Sequence, residues 1–266
     1  MSRRTSIPPP DVTLREAWEV EAARWIRWAR APGHDSYWQF HRDAFLPGLP
    51  SPPRRVVDIG CGEGRLARDL TAAGYDVVGI DGSPTLIAAA READPAGTYL
   101  LADAADLPLP DASFDLAVAF MSPQDIEDLD GAMREAARVL LPGGHLRMAI
   151  VHPLNSSGKF SSYESNATFE IRGSYLEERQ YADTFERDGL AMTFVSRHRP
   201  LEQVAGAVIA AGLLIDHVAE PPARNMPSGD RWRRLPLFLH IGAIKPTTTA
   251  HPPPRSALDR SPDAPR

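Results

Sequence analysis

Arg55-Val56-Val57-Asp58-Ile59-Gly60-Cys61-Gly62-Glu63-Gly64 is a β-branched run that closes on an acid and three alternating glycines. Such a run reads as a buried strand that ends in a tight turn and opens a helix. Glycine lets the backbone turn sharply and approach a ligand with no Cβ in the way. The free amides at the helix start then favour a carboxylate or phosphate. A dinucleotide fingerprint would need a further glycine three residues after Gly62, and Arg65 stands there. A nicotinamide cofactor therefore loses its key residue.

Outward from this turn, β-branched runs alternate with Ala/Leu/Arg-rich stretches. Leu66 and Leu70 lie four apart, with Ala67 and Ala73 nearby, as in a helix packed on a sheet. Residues 76–81 form a second strand, and Ser83-Pro84 opens the next helix with a capping residue and a first-turn proline. Residues 98–101 and 114–120 make strands three and four. A helix over 132–141 stops at Pro142-Gly143-Gly144, and 145–151 is strand five. The rhythm lapses over 155–194, which is polar and aromatic, and a segment of that length inside an α/β series reads as a lid. It resumes with a helix at 201–211 and strands at 213–218 and 237–244, the last preceded by Pro236. The alternation predicts a parallel sheet with helices on both faces. Before the first strand, Trp18, Ala22, Trp25 and Ala29 share a helical face, followed by Tyr37, Trp38 and Phe40. Covering the sheet end and closing a site are both open readings of that helix.

The 266 residues suit one large domain or one domain with an inserted lid. With 29 basic against 35 acidic residues, the net charge of −6 argues against nucleic-acid partners. No apolar run approaches the roughly 18 residues of a membrane span, so no membrane association is expected. MSRRTSIPPP lacks the apolar stretch of a secretory signal. One cysteine, Cys61, allows neither an internal disulfide nor a thiolate zinc cluster, so a reducing, cytoplasmic setting is expected. Residues 1–10 and the Pro-rich 246–266 read as disordered.

Further signals follow the glycine turn in a fixed order. Asp81 ends the second strand, Asp103-Ala104 follows the third, and Leu107-Pro108 with Phe114-Asp115 leads into the fourth. Arg138-Val-Leu-Leu-Pro142-Gly-Gly144 precedes the fifth. Together these resemble the class I S-adenosylmethionine-dependent methyltransferases, in the small-molecule branch often labelled methyltransferase type 11. The resemblance implies a doubly wound, Rossmann-like, mostly parallel seven-stranded sheet with an antiparallel last strand. It further implies an N-terminal helical cap over 11–54 and a methyltransferase domain over 55–245 carrying the lid.

By the same resemblance S-adenosylmethionine, leaving as S-adenosylhomocysteine, contacts Asp58, Gly60, Cys61, Gly62, Gly64, Asp81, Gly82, Ser83, Asp103, Ala104, Phe120 and Met121. Asp81 matches the acid that accepts both ribose hydroxyls, and Asp103 the acid beside the adenine. Asp58 either reaches the methionyl ammonium or orders the loop. Cys61 fits a small packing position, and Phe120 with Met121 lines the methionyl arm or belongs to the core.

Methyl transfer is an in-line displacement that needs positioning, exclusion of water and, for an O–H or N–H acceptor, a base. His152, just past the fifth strand, is the first candidate base, with Asp125 and His41 next; no metal is required. His152 bonding a loop carbonyl, and Asp125 capping a helix, are the structural alternatives. Tyr37, Trp38, Tyr163 and Arg199 are candidate substrate contacts, and the 231–234 Arg-Trp-Arg-Arg cluster suits a carboxylate or a solvated turn. The Pro-Pro-aromatic signature of nucleic-acid amino-methyltransferases is replaced by Phe120-Met-Ser-Pro123-Gln-Asp125, and one cysteine is too few for arsenite methylation. The expectation is methyl transfer to an O, N or C nucleophile of a small organic molecule. The alternative is a catalytically silent cofactor-binding protein acting as a regulatory partner. Monomer and homodimer are both open.

Overall fold

Among the described residues three sheets organise the fold, and the largest runs through residues 55–244. In this computed structural model residues 2–3, 12–52, 54–222 and 230–247 are described. In chain order, β1 (Ser2–Arg3) precedes helix α1 (Leu14–Arg30), a π-helical turn (Tyr37–His41) and α2 (Arg42–Phe45). The Rossmann-like series follows as β2 (Arg55–Ile59), α3 (Arg65–Ala72), β3 (Asp76–Asp81), α4 (Pro84–Ala93), β4 (Thr98–Leu101) and β5 (Phe114–Phe120). It continues with α5 (Leu129–Val139) and β6 (Leu140–Val151). Next come α6 (Pro153–Ser157), β7 (Gly158–Phe160), β8 (Phe169–Ile171), β9 (Arg179–Arg187) and β10 (Leu190–His198). The chain closes with α7 (Leu201–Ala210), β11 (Leu214–Ala219) and β12 (Phe238–Ile244).

The seven-stranded sheet has the order β11-β12-β6-β5-β2-β3-β4. Strands β2 to β6 pair in parallel, and β12 runs antiparallel to both β6 and β11. The chain leaves β2 toward β3 but leaves β5 toward β6, so the strand order reverses between neighbours β2 and β5. Ligands of such sheets bind at the carboxyl ends of the strands beside that reversal. Both faces are covered, which is why β2 is buried from Val56 to Ile59. One face packs Val57, Ile59 and Met148 against Met133, Val204 and Val208 of α5 and α7. The other packs Val56, Val118 and Ala149 against Leu66, Leu70, Ile87, Tyr37 and Phe45.

The clearest differences from the sequence reading lie at α5 and β6 and at the N-terminus, while α7 and β12 each lose one residue and β11 shifts by one. Helix α5 starts at Leu129 because the Asp128 side chain accepts the Gly131 amide at 2.8 Å. It ends at Val139, since Pro142-Gly143-Gly144 does not break a helix but forms a bulge inside β6. Register there jumps from Phe114↔Leu140 to Leu116↔His145, with Gly143 at φ +80°. Within 1–10, expected to carry no structure, Ser2 and Arg3 pair with Phe185 and Thr184 of β9. Apart from these two and residues 246–247, the terminal segments expected to be disordered lie outside the described residues.

The 155–194 segment forms elements of its own. β7 and β8 make a hairpin, and β9 pairs with β10 along nine residues while taking β1 on its other edge. α1 lies on β10 through edge-on rings, with Phe194 meeting Trp18, Trp25 and Trp28 at centroid distances of 5.8–6.3 Å. The cap helix is thus bound to the hairpin rather than only to the end of the sheet. Among the described residues no helix is long and apolar enough to cross a membrane.

Candidate active site

A cavity of about 1080 Å³ opens at the carboxyl ends of β2, β3 and β5. Its floor is the glycine turn. The amides of Gly60 and Cys61 both donate to the Ile80 carbonyl, at 2.7 and 2.9 Å, and lock the turn onto β3. Gly60 has φ +77°, and a Cβ there would lie 2.3 Å from Ser122 Cβ, so only glycine fits. Ser122 in turn donates to the Ile59 carbonyl at 2.6 Å and ties the end of β5 to β2. Gly62 faces Trp25, whose Nε1 would be 3.5 Å from an added Cβ. Met121, on the same wall, sits at φ +53°, a strained conformation for a non-glycine residue of the kind found at functional sites.

Three carboxylates stand over this floor. Asp81 accepts the Gly62 amide at 2.8 Å through Oδ2 and the Ser83 amide at 2.9 Å through Oδ1. Each oxygen keeps a further lone pair, enough for two hydroxyls of a vicinal diol. Burial raises the Asp81 carboxyl above its usual range, against the pull of those two amides. Asp58 is 1% exposed, lines the cavity, and neither of its oxygens has a hydrogen-bond partner. Burial, then the charge of Asp81, pushes its carboxyl up to about 7. Asp125, in the turn after β5, accepts the Ser196 hydroxyl at 2.6 Å and the Gln124 amide at 3.3 Å. Burial pushes it to about 7 despite those bonds.

The cavity wall also carries Cys61, Gly82, Ser83, Asp103, Ala104, Phe120, Met121, His41 and Tyr163 from the sequence reading. Cys61 is buried, and burial drives its thiol well up, which suits packing rather than reactivity. Ser83 caps α4 and is held by Glu19 of α1. Asp103 is ion-paired with Arg15 of α1 and also caps the Ala105 amide at 2.9 Å. His41 is wedged among Phe120, Phe238 and His240, and burial lowers its imidazole to about 3.

Five candidates are not on that wall. Gly64 is a packing glycine at the start of α3, where a Cβ would come within 2.9 Å of the Tyr99 ring. His152 caps α6 by accepting the Leu154 amide at 3.0 Å, and its Nε2 meets Glu220 at 2.9 Å. The residue directly after β6 is therefore spent on the chain itself. Tyr37 is buried, donates to Asp69 at 2.7 Å and carries the Arg65 guanidinium 4.2 Å over its ring. Trp38 is half exposed under Arg42. Arg199 is buried and donates to the carbonyls of Pro123, Ile126 and Glu127, pinning the loop after β5.

The sequence reading missed several wall residues. Glu63, 2% exposed, is gripped by Arg30 and Arg68 and fixes the turn from below. Trp18 and Trp25 carried a signal in their seven-residue spacing on one helix face. Phe194 and Phe238 carried none, because long-range packing alone brings them here, whereas Arg231 belongs to the 231–234 cluster already singled out for a carboxylate or a solvated turn.

Asp58 yields a pH prediction. A cationic amine placed beside its carboxylate favours the ionised form, so binding at pH below about 7 must release a proton. Affinity for S-adenosylhomocysteine should rise with pH and level off above about 7. Calorimetry in buffers of different ionisation enthalpy reads that proton directly, and Asp58→Asn should abolish both the slope and the release.

The Methyltransferase domain family model matches residues 57–148. The chain is 30% identical over 161 residues to a malonyl-[acyl-carrier protein] O-methyltransferase of Enterobacter lignolyticus, covering 58% of this chain and 59% of that protein. It is 38% identical over 120 residues to the demethylmenaquinone methyltransferase of Thermus thermophilus, covering 43% of this chain and 54% of that one. The chain thus spans little more than half of the length of these curated relatives. A solved S-adenosylmethionine-dependent methyltransferase from Mesorhizobium loti is similar in fold at TM-score 0.64 and 29% identity, covering 79% of this chain and 98% of that one.

Proposed function

We propose, for a chain that by domain and fold belongs to the class I S-adenosylmethionine-dependent methyltransferases, that it methylates a small organic molecule inside the 1080 Å³ cavity. The observation that carries this reading is one cavity walled by both the glycine turn with Asp58 and Asp81 and by an aromatic set from α1 and 155–194. The residues fit the cofactor: Asp58 offers two unpartnered buried oxygens to a cation, and Asp81 keeps acceptor capacity for a diol. When bound, S-adenosylmethionine supplies an electrophilic methyl on a sulfonium.

The chain's own part is positioning, drying and proton removal. Gly60, Gly62 and Asp81 form the cavity floor, and Trp18, Trp25 and Phe194 wall it and exclude water. Asp125 takes the proton of an O–H or N–H acceptor, because a carboxyl near 7 is half ionised at working pH. His41 is neutral over the same range, and its value of about 3 makes it the weaker base. The relatives' names, one a malonyl-[acyl-carrier protein] O-methyltransferase and one a demethylmenaquinone methyltransferase, support an organic acceptor over a metal or nucleic acid. Incubation with methyl-labelled cofactor and a metabolite extract tests this. Label in the small-molecule fraction supports it; label only on macromolecules, or none, contradicts it.

Residues 155–194 act as the lid of that cavity in this reading, supported by Gly158 to Tyr163 and Phe194 on its wall. Proteolytic cleavage within 155–194 should slow when S-adenosylhomocysteine is added. Tyr163 is 66% exposed, so Tyr163→Ala should lower turnover while changing stability by no more than about 0.5 kcal/mol. Tyr37→Ala should do the reverse, costing roughly 3 kcal/mol or more of stability through a lost buried ring and its bond to Asp69.

A further inference from the structure

The cations on the cavity wall are unequally matched. Arg15 is neutralised by Asp103, and Arg65 by Asp35 at 2.6 Å. Arg187 is tied to the carbonyls of Gly33 and His34. Arg231 has a different setting. Its Nη1 donates to the Ser162 carbonyl at 3.0 Å, while Nε is buried with no hydrogen-bond partner. No carboxylate among the described residues pairs with it. Its guanidinium lies 4.3 Å over the Tyr163 ring and 5.8 Å from that of Phe160. Lys159, on the β7 strand of the same wall opposite Glu170, likewise forms no ion pair among the described residues.

A charged guanidinium N–H sealed from water without an acceptor is destabilising. That cost is removed when a ligand brings the acceptor. With Nη1 taken, the edge left to Arg231 is Nε with Nη2, and a planar carboxylate bridges that edge with two parallel hydrogen bonds. The ring that closes over it, Tyr163, is exposed and belongs to the lid segment, so it can move aside. Beside it, Phe160 and Trp232 meet edge-on at 4.8 Å and give an apolar wall for the rest of the molecule.

We infer that the acceptor is a carboxylic acid whose carboxylate is held by Arg231, with Lys159 adding charge to the same wall and Phe160 and Trp232 flanking its apolar body. This rests on the methyltransferase reading for the position of the acceptor, and specifies its chemistry. The carboxylate anchors the molecule at the lid end, remote in role from the proton acceptor Asp125.

The test uses the full chain saturated with S-adenosylhomocysteine and measures binding of benzoate and 3-phenylpropionate against benzamide and 3-phenylpropionamide. Each acid should bind at least tenfold more tightly than its amide. Arg231→Gln should erase that preference, and Lys159→Gln should reduce it without erasing it. If Arg231→Gln fails to fold, the wild-type comparison and Lys159→Gln decide. Amides that bind as well as the acids, acids that do not bind at 10 mM, or a preference that survives Arg231→Gln would overturn the inference. Saturation with S-adenosylhomocysteine is measured first, so failure of the cofactor reading is seen separately.

Discussion

Asp81→Ala is expected to weaken S-adenosylhomocysteine binding at least tenfold while the far-ultraviolet spectrum stays native. Asp81 ends β3 with one oxygen on the Gly62 amide and the other on Ser83, so it both shapes the turn and faces the cavity. Hydrogen bonds to a charged acceptor contribute about 1.5–3 kcal/mol each, and 1.4 kcal/mol is a factor of ten. Two bonds to a ribose diol lost together would therefore exceed tenfold. Asp81→Asn separates the two roles. It keeps one acceptor for the Gly62 amide, so the turn survives, and the loss then reports the missing ligand bonds. Unchanged affinity in both variants would mean that the ribose lies elsewhere.

Asp125→Asn should lower kcat by roughly 10²–10⁴ with cofactor affinity unchanged, the range typical for loss of a general base. The wild-type rate should rise with pH through about 7, and the variant's should not. Stability should move the other way. The folded Asp125 carboxyl sits above its ordinary value of 3.8, so the folded state holds the proton longer than the unfolded chain does. Its burial therefore costs stability increasingly between about 4 and 7, and fully above that range. Asp125→Asn, which removes the charge but keeps the Ser196 bond, should match or exceed wild-type Tm at pH 8. A variant that is both inactive and markedly less stable would point to a structural Asp125 instead.

The sheet was legible because its signals are local. Periodicity within Arg55–Ile59, Asp76–Asp81, Thr98–Leu101 and Phe114–Phe120 marks each strand, and each of these four spans agrees with the structure to the residue. The glycine-turn wall of the cavity was legible for the same reason, since Asp58, Gly60, Gly62 and Asp81 come from two adjacent strand ends. The helix end near 140 was misjudged because Pro-Gly-Gly breaks helices and makes strand bulges alike, and only pairing with β5 decides between them.

The opposite wall of the cavity was less legible because it is assembled from distant segments. His152 was the natural base at a strand end, yet capping α6 and meeting Glu220 consumes both ring nitrogens. Arg199 looked free for a substrate, but three carbonyls from 123–127 claim its guanidinium. Arg231 stood in a cluster that reads equally as a solvated turn, and only its unpartnered Nε beside Phe160 and Tyr163 distinguishes it.

A calorimetric titration of the full chain with S-adenosylhomocysteine is the most direct measurement. One site with micromolar affinity, about −8 kcal/mol, is expected, weakened at least tenfold in Asp81→Ala. No detectable heat or competition with either S-adenosylhomocysteine or S-adenosylmethionine at millimolar concentration would contradict it.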